Sequence, residues 1–149
     1  MAYELVIFDW DGTLMEMRDC LYESALPVLQ RLQKSGIKLA VATGKDRYSL
    51  NRVLAEKGYG VYFQTTRTAD ETRMKPDPLM LNEILLELDV KVARALMVGD
   101  SVYDLAMAQR IGMDSVGITT GGCSPAILAE YKPLRVIDDL SELLPIVLT

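Results

Sequence analysis

At 149 residues the chain has the length of one ordinary domain, and with half of its residues hydrophobic it can bury a substantial core. Its 21 acidic residues outnumber 16 basic ones, leaving a net charge of −5 and no broad basic field, which argues against nucleic acid as a primary partner. Histidine is absent, so Ser-His-Asp and Cys-His mechanisms and histidine-ligated zinc are excluded, and acid–base work falls to carboxylates, lysine or tyrosine.

The chain opens with a short apolar run, Leu5-Val6-Ile7-Phe8, that stops at Asp9-Trp10-Asp11-Gly12-Thr13. Such a run suits a strand buried on both faces, as in a parallel sheet, where ligands gather at the carboxyl ends of strands. Residues i and i+2 of extended chain point the same way, so Asp9 and Asp11 face one small volume if the strand geometry persists through Trp10. Gly12 frees the backbone to turn away. Residues 14–26 read as a short helical turn or a loop, and the first main helix starts near Leu26 or Pro27, because proline suits a first helical turn. Val28, Leu29 and Leu32 keep helical spacing up to Gly36.

Residues 37–42 form the second predicted strand, ending at Thr43-Gly44-Lys45. Asp46 can cap a helix with Leu50, Val53 and Leu54 on its buried side, running to Lys57 and Gly58. Val61-Tyr62-Phe63 reads as a short third strand, and residues 64–77, charged and without apolar periodicity, as a loop that carries Lys75-Pro76. Leu81, Ile84, Leu85 and Leu88 fall at i, i+3, i+4 and i+7 of an amphipathic helix. Residues 95–98 are the fourth strand, leading into Gly99-Asp100-Ser101 and a helix to Arg110, closed by Gly112. A fifth strand at 116–118, a Gly-rich loop at 119–124, a short helix at 125–131, an edge strand at 135–137 and a closing helix at 140–147 complete the chain.

Strand and helix alternate throughout, which implies right-handed crossovers and a parallel sheet covered on both faces. The expectation is one α/β domain over residues 1–149: a Rossmann-like, doubly wound, mainly parallel sheet of five or six strands in a three-layer sandwich. Cys20 and Cys123 lack metal-ligand or redox spacing and read as reduced thiols. No apolar run reaches the roughly 18 residues of a membrane span and no signal-peptide pattern is present, so the expected setting is soluble and cytoplasmic.

Two carboxylates held close disfavour double ionisation unless a cation lies between them, so Asp9 and Asp11 ask for a divalent metal. Thr43, Lys75 and Asp100 each follow a predicted strand or sit in a loop near one. Each has an ordinary reading as a turn, a solvated loop or a helix cap, and it is their joint occurrence that carries weight. Asp-x-Asp-Gly-Thr, a strand-end Thr, Lys-Pro and Gly-Asp-x-x-x-Asp, in this order, resemble the motif set of the haloacid dehalogenase superfamily of phosphohydrolases, most closely its phosphoglycolate phosphatase-like branch.

The resemblance implies Asp9 as a nucleophile forming an aspartyl-phosphate, and Asp11 as the general acid and then base. It implies Thr43 with the Gly44 backbone as donors to the phosphoryl oxygens, and Lys75 as the charge that steadies them and Asp9. A magnesium ion would be held by the Asp9 carboxylate, the Asp11 main-chain carbonyl and Asp100, with Asp104 in an outer, orienting position. The substrate would be a phosphate ester, small or large. Relatives of this branch usually insert a helical cap between the first Asp motif and the Thr motif, but here residues 14–26 are too few for a domain with its own core, so a capless protein with an open site is expected. Lys45 and Arg47 read equally well as substrate contacts or surface charges, and Trp10 and Tyr103 as packing beside the site.

Two other classes compete. A phospho-accepting receiver domain shares the sheet and acidic metal site, but takes its phosphoryl group after a central strand rather than the first. A weakly active or non-catalytic metal-binding scaffold would keep the same residues.

Overall fold

A computed structural model describes residues 3–16 and 20–148. Six parallel strands, β1 (Leu5–Phe8), β2 (Lys38–Thr43), β3 (Thr65–Thr68), β4 (Ala95–Gly99), β5 (Asp114–Ile118) and β6 (Arg135–Ile137), form one sheet in the order β3-β2-β1-β4-β5-β6. The central strand β1 is buried along its whole length, with Leu5–Phe8 in register against Lys38–Val41 on one side and Ala95–Val98 on the other. This is why its sequence reads as a continuous apolar run instead of an alternating one.

The two faces of β1 feed separate cores, because successive side chains alternate across the sheet. Val6 and Phe8 pack with Val28, Leu29 and Leu32 of α1 (Ala25–Lys34), Leu50 and Val53 of α2 (Arg47–Lys57) and Leu143 and Val147 of α6 (Leu143–Val147). Leu5 and Ile7 pack with Met80, Leu81 and Ile84 of α3 (Leu79–Leu88) and Met107 and Ala108 of α4 (Val102–Arg110). The short helix α5 (Pro125–Ala129) lies beside α4, and Gly117 of β5 lets Leu105 and Leu128 close over the sheet. The result is the doubly wound, three-layer α/β architecture expected. The strand order reverses between β1 and β4, and in open α/β sheets that switch point opens a crevice at the carboxyl ends of the strands.

Two expectations are corrected. The third strand is not Val61-Tyr62-Phe63 but Thr65–Thr68, inside the stretch read as a loop. Gly58 takes a left-handed conformation that ends α2, and Tyr59–Tyr62 coil into a 3-10 turn, from which Tyr59 and Phe63 pack on Trp10. The true strand has no apolar alternation because it is an edge strand, partly covered by ion pairs from Arg67 to Glu83 and Glu87. The closing helix is likewise split into a 3-10 turn at Leu140–Glu142 and α6. Within residues 14–26, Met15 makes isolated bridges to Asp11 and Leu21 before α1 begins, while residues 17–19 lie outside the described part. No described helix is long and apolar enough to cross a membrane.

Candidate active site

The ladder of β1 carries on one residue past the strand, with the Asp9 N–H donating to the Val98 carbonyl at 3.0 Å, so the Asp9 carboxyl group is delivered to the crevice beside β4. Its Oδ1 accepts from the Trp10 N–H at 2.8 Å and from Lys75 Nζ at 2.9 Å. Trp10 itself is fully buried, edge-on to Phe63 with its indole N–H on Met15 sulfur at 3.2 Å, so it anchors the loop from below, as its packing reading implies. Asp11 stands at the mouth of the crevice, where Lys45 Nζ pairs with it at 3.2 Å. Gly12 then takes φ +85°, a turn that a residue with a side chain rarely adopts, and Thr13, buried, donates its hydroxyl to Asp100 Oδ1 at 3.0 Å.

Thr43 is the last residue of β2; it is buried, and its Oγ1 accepts from the Lys45 N–H at 3.1 Å, which folds the chain over Gly44 into the crevice wall. Lys75 reaches in from the loop between β3 and α3 and bridges two carboxylates, Asp9 at 2.9 Å and Asp104 at 2.5 Å. Asp104 is fully buried in the first turn of α4, where its Oδ2 accepts from the N–H and hydroxyl of Ser101 in a capping box. The helix cap, the buried carboxylate and Lys75 are thus one hydrogen-bonded unit. Asp100 ends at the same place from β4.

Burial pushes the Asp9 carboxyl up to about 6, with the Lys75 charge pulling it back and Asp100 pushing it further. Burial also raises Asp104 to about 6 against the pull of Lys75, and raises Asp100. Burial opposes the charge on Lys75, but the Asp104 and Asp9 carboxylates outweigh it and hold its ammonium protonated well above the ordinary lysine range. The carboxylates therefore crowd more negative charge than one lysine neutralises. Asp9, Asp100 and Asp104 each offer an oxygen within 4.8 Å of the others, an all-oxygen donor set suited to a hard divalent cation. Both oxygens of Asp104 are already engaged by Lys75 and Ser101, so Asp9 and Asp100 are the pair left to share a cation, and Asp104 fits an orienting role.

These residues line one cleft of about 810 Å³, bounded by Asp9, Asp11, Thr43, Gly44 and Lys75 together with Lys45, Ala69, Met74, Ser101 and Tyr103. Every strand-end motif residue picked from the sequence converges here or, for Asp100 and Asp104, directly beside it. Of the two cations left open, Lys45 is in the cleft, whereas Arg47 turns away to Glu71 at 2.7 Å and to Thr66 Oγ1 at 2.6 Å. Tyr103 does not pack as expected: it is 58% exposed and, with Met74, forms an apolar lip. Thr13 stands in the sequence only as the end of the first Asp motif and Ser101 only as part of a helix-cap signal; the cap is formed, and the hydroxyl contacts of Thr13 to Asp100 and of Ser101 to Asp104 go beyond that reading.

The family model for haloacid dehalogenase-like hydrolases matches residues 15–112, more than half of the chain. The chain is similar to "Pyrophosphatase PpaX" of Bacillus mycoides (strain KBAB4), 34% identical over 126 residues that make up 84% of this chain and 59% of that protein. It therefore spans little more than half the length of that relative. In structure it is similar to a predicted phosphatase from Clostridium acetobutylicum, with TM-score 0.88, 18% identity and 99% of both chains covered. It is also similar to a predicted phosphoglycolate phosphatase from Haemophilus somnus 129pt, with TM-score 0.86, 19% identity and 97% of both chains covered. At these identities the structural likeness speaks for the fold, while the family match and the PpaX relative speak for descent: the chain belongs to the haloacid dehalogenase-like hydrolases.

Proposed function

We propose that this protein is a magnesium-dependent phosphatase that hydrolyses phosphate monoesters through an aspartyl-phosphate on Asp9. The observation that carries the reading is the Asp9 carboxylate on the floor of an 810 Å³ cleft, fixed in orientation by the Trp10 N–H and Lys75, with Thr43 on one side and Asp100 on the other. Asp9 attacks phosphorus and the ester oxygen leaves, taking a proton from Asp11 at the cleft mouth; Asp11 then removes a proton from the water that breaks the acyl-phosphate and restores Asp9. Lys75 offsets charge on the phosphoryl oxygens, and Thr43 and the Gly44 backbone supply hydrogen bonds to them. Asp9, the Asp11 carbonyl and Asp100 would hold magnesium, which supplies further charge neutralisation when bound. Phosphoryl transfer asks chiefly for positioning and charge, and this residue set offers both.

The strand order also favours this reading over a receiver domain, whose flavodoxin-like sheet runs 2-1-3-4-5. A reducing, cytoplasmic setting belongs to the same proposal and rests on the reading of Cys20 and Cys123 as reduced thiols. The test is hydrolysis of p-nitrophenyl phosphate, a panel of alkyl phosphates and pyrophosphate, with magnesium and with chelator, in the native protein and Asp9→Asn. Magnesium-dependent turnover that Asp9→Asn abolishes while its circular dichroism stays native is the expected result. Undiminished turnover in Asp9→Asn overturns the mechanism, and magnesium binding without turnover on any ester favours the scaffold reading.

A further inference from the structure

Asp100 is the one acidic residue of the cluster that neither Lys75 nor a helix cap holds, yet it is tightly confined. A Cβ on Gly12 would run into its carboxylate, and so would a Cβ on Gly121, from a loop more than a hundred residues further along the chain. The two glycines are glycine for different reasons. Gly12 has a left-handed backbone, but Gly121 is not among the positive-φ residues, and in its turn it is Gly122 that takes φ +95°. At Gly122 a Cβ would meet nothing within 4 Å. Gly122 therefore serves the turn, and the missing side chain at Gly121 serves Asp100.

The same loop is tied to the Asp motif directly. Thr120 Oγ1 donates to the Gly12 carbonyl at 2.6 Å, and the Tyr22 hydroxyl donates to the Thr120 carbonyl at 3.0 Å. Thr13 holds the other side of the carboxylate through Asp100 Oδ1 at 3.0 Å. We infer that Thr120 and Gly121, in the loop after β5, are positioning residues that clamp the Asp100 carboxylate between two glycine backbones and so preset the cation site. The inference rests on the proposed magnesium site. It adds a fifth segment to the four motifs, one that acts through Asp100 and touches neither substrate nor phosphoryl group. A confined carboxylate loses little further freedom on binding a cation, so releasing it weakens affinity without dismantling the fold.

The experiment is titration of the purified protein with magnesium chloride by calorimetry, alongside the melting temperature in chelator. Gly121→Ala is expected to weaken magnesium binding roughly tenfold to a hundredfold, the range seen when residues that orient metal ligands are lost. Thr120→Val should weaken it as well and Thr120→Ser restore it, because serine keeps the hydroxyl. Gly122→Ala strains the turn, so it should lower the melting temperature and leave magnesium affinity unchanged. Native affinity in Gly121→Ala, or an equal loss in Gly122→Ala, overturns the clamp. Should Gly121→Ala not fold, the contrast of Thr120→Val with Thr120→Ser decides the matter alone. Native protein that binds no magnesium overturns the metal site and the clamp with it, whereas native binding that the Thr120 and Gly121 variants leave intact removes only the clamp.

Discussion

At Asp9 burial and charge pull in opposite directions, and burial wins. Asp9 and Asp104 are raised from ordinary aspartate values to about 6. The folded state therefore binds protons that the unfolded chain has already released between about pH 4 and 6, so this stabilisation is complete below the unfolded value and lost as pH rises through 6. In chelator the melting temperature should fall across that window, and Asp9→Asn should flatten the slope. A native protein whose metal-free stability rises from pH 4 to 6 contradicts the assignment. Lys45 has a different task. Its ion pair with Asp11 spans 3.2 Å on a side chain half open to solvent, so its direct value to stability is small. What it fixes is where the proposed proton donor points. Lys45→Met should therefore slow hydrolysis of alkyl phosphates, whose poor leaving group needs the proton, far more than that of p-nitrophenyl phosphate, whose leaving group does not. Equal slowing of both esters would remove Lys45 from that role.

Elements were legible from the sequence in proportion to how apolar their faces are. β1, β2 and β4 are interior strands and announce themselves as apolar runs, Leu5-Val6-Ile7-Phe8, Leu39-Ala40-Val41-Ala42 and Ala95-Leu96-Met97-Val98. β3 is Thr-Thr-Arg-Thr, an edge strand whose partners are Glu83 and Glu87 of α3, and nothing in its periodicity separates it from a charged loop. The neighbouring Val61-Tyr62-Phe63 looks strand-like because aromatic and β-branched residues favour strands, yet there Phe63 packs edge-on against Trp10, the Tyr62 hydroxyl accepts from Gln30, and Val61 is exposed. The site was legible for a related reason: Asp9, Thr43 and Asp100 are polar residues at the ends of apolar runs. The Lys45–Asp11 pair and the approach of Thr120 to Gly12 were not, since they depend on how loops from separate strands fold toward each other. One element joins fold and site outright. Ser101 caps α4 and holds Asp104, which holds Lys75, so Ser101→Ala should cost about 1–2 kcal/mol of stability, the scale of a lost N-cap. It should also lower phosphatase turnover, because Asp104 and Lys75 lose a shared anchor. A stability loss with native turnover would show that the cap and the site are independent.

For the molecule as a whole, the strand order places every motif on one edge of the sheet, and the remaining question is what covers that edge. Between β1 and α1 the chain has only residues 9–24, and Met15 bridges Asp11 and Leu21 close to the sheet. The cleft opens past Met74 and Tyr103, which are 75% and 58% exposed. We infer an open, capless site, and a consequence for selectivity follows from it. A cap excludes water and grips the non-reacting part of a small substrate, and that remote binding energy helps position the reacting centre. Without it, phosphoglycolate has little beyond its phosphoryl group for the protein to hold, and its turnover should be weak and hard to saturate. A bulkier ester reaches the apolar lip, where Tyr103 and Met74 contribute contact area, so kcat/KM should rise with leaving-group size and aromatic character. Tyr103→Ala should erase most of that gain while leaving phosphoglycolate turnover as it was. The measurement is kcat/KM across phosphate esters of graded size, with the oligomeric state determined under the same conditions, because a neighbouring subunit over the cleft would stand in for a cap. A strong preference for phosphoglycolate from a demonstrated monomer would show that selectivity resides inside the cleft, with Lys45 the first residue to substitute.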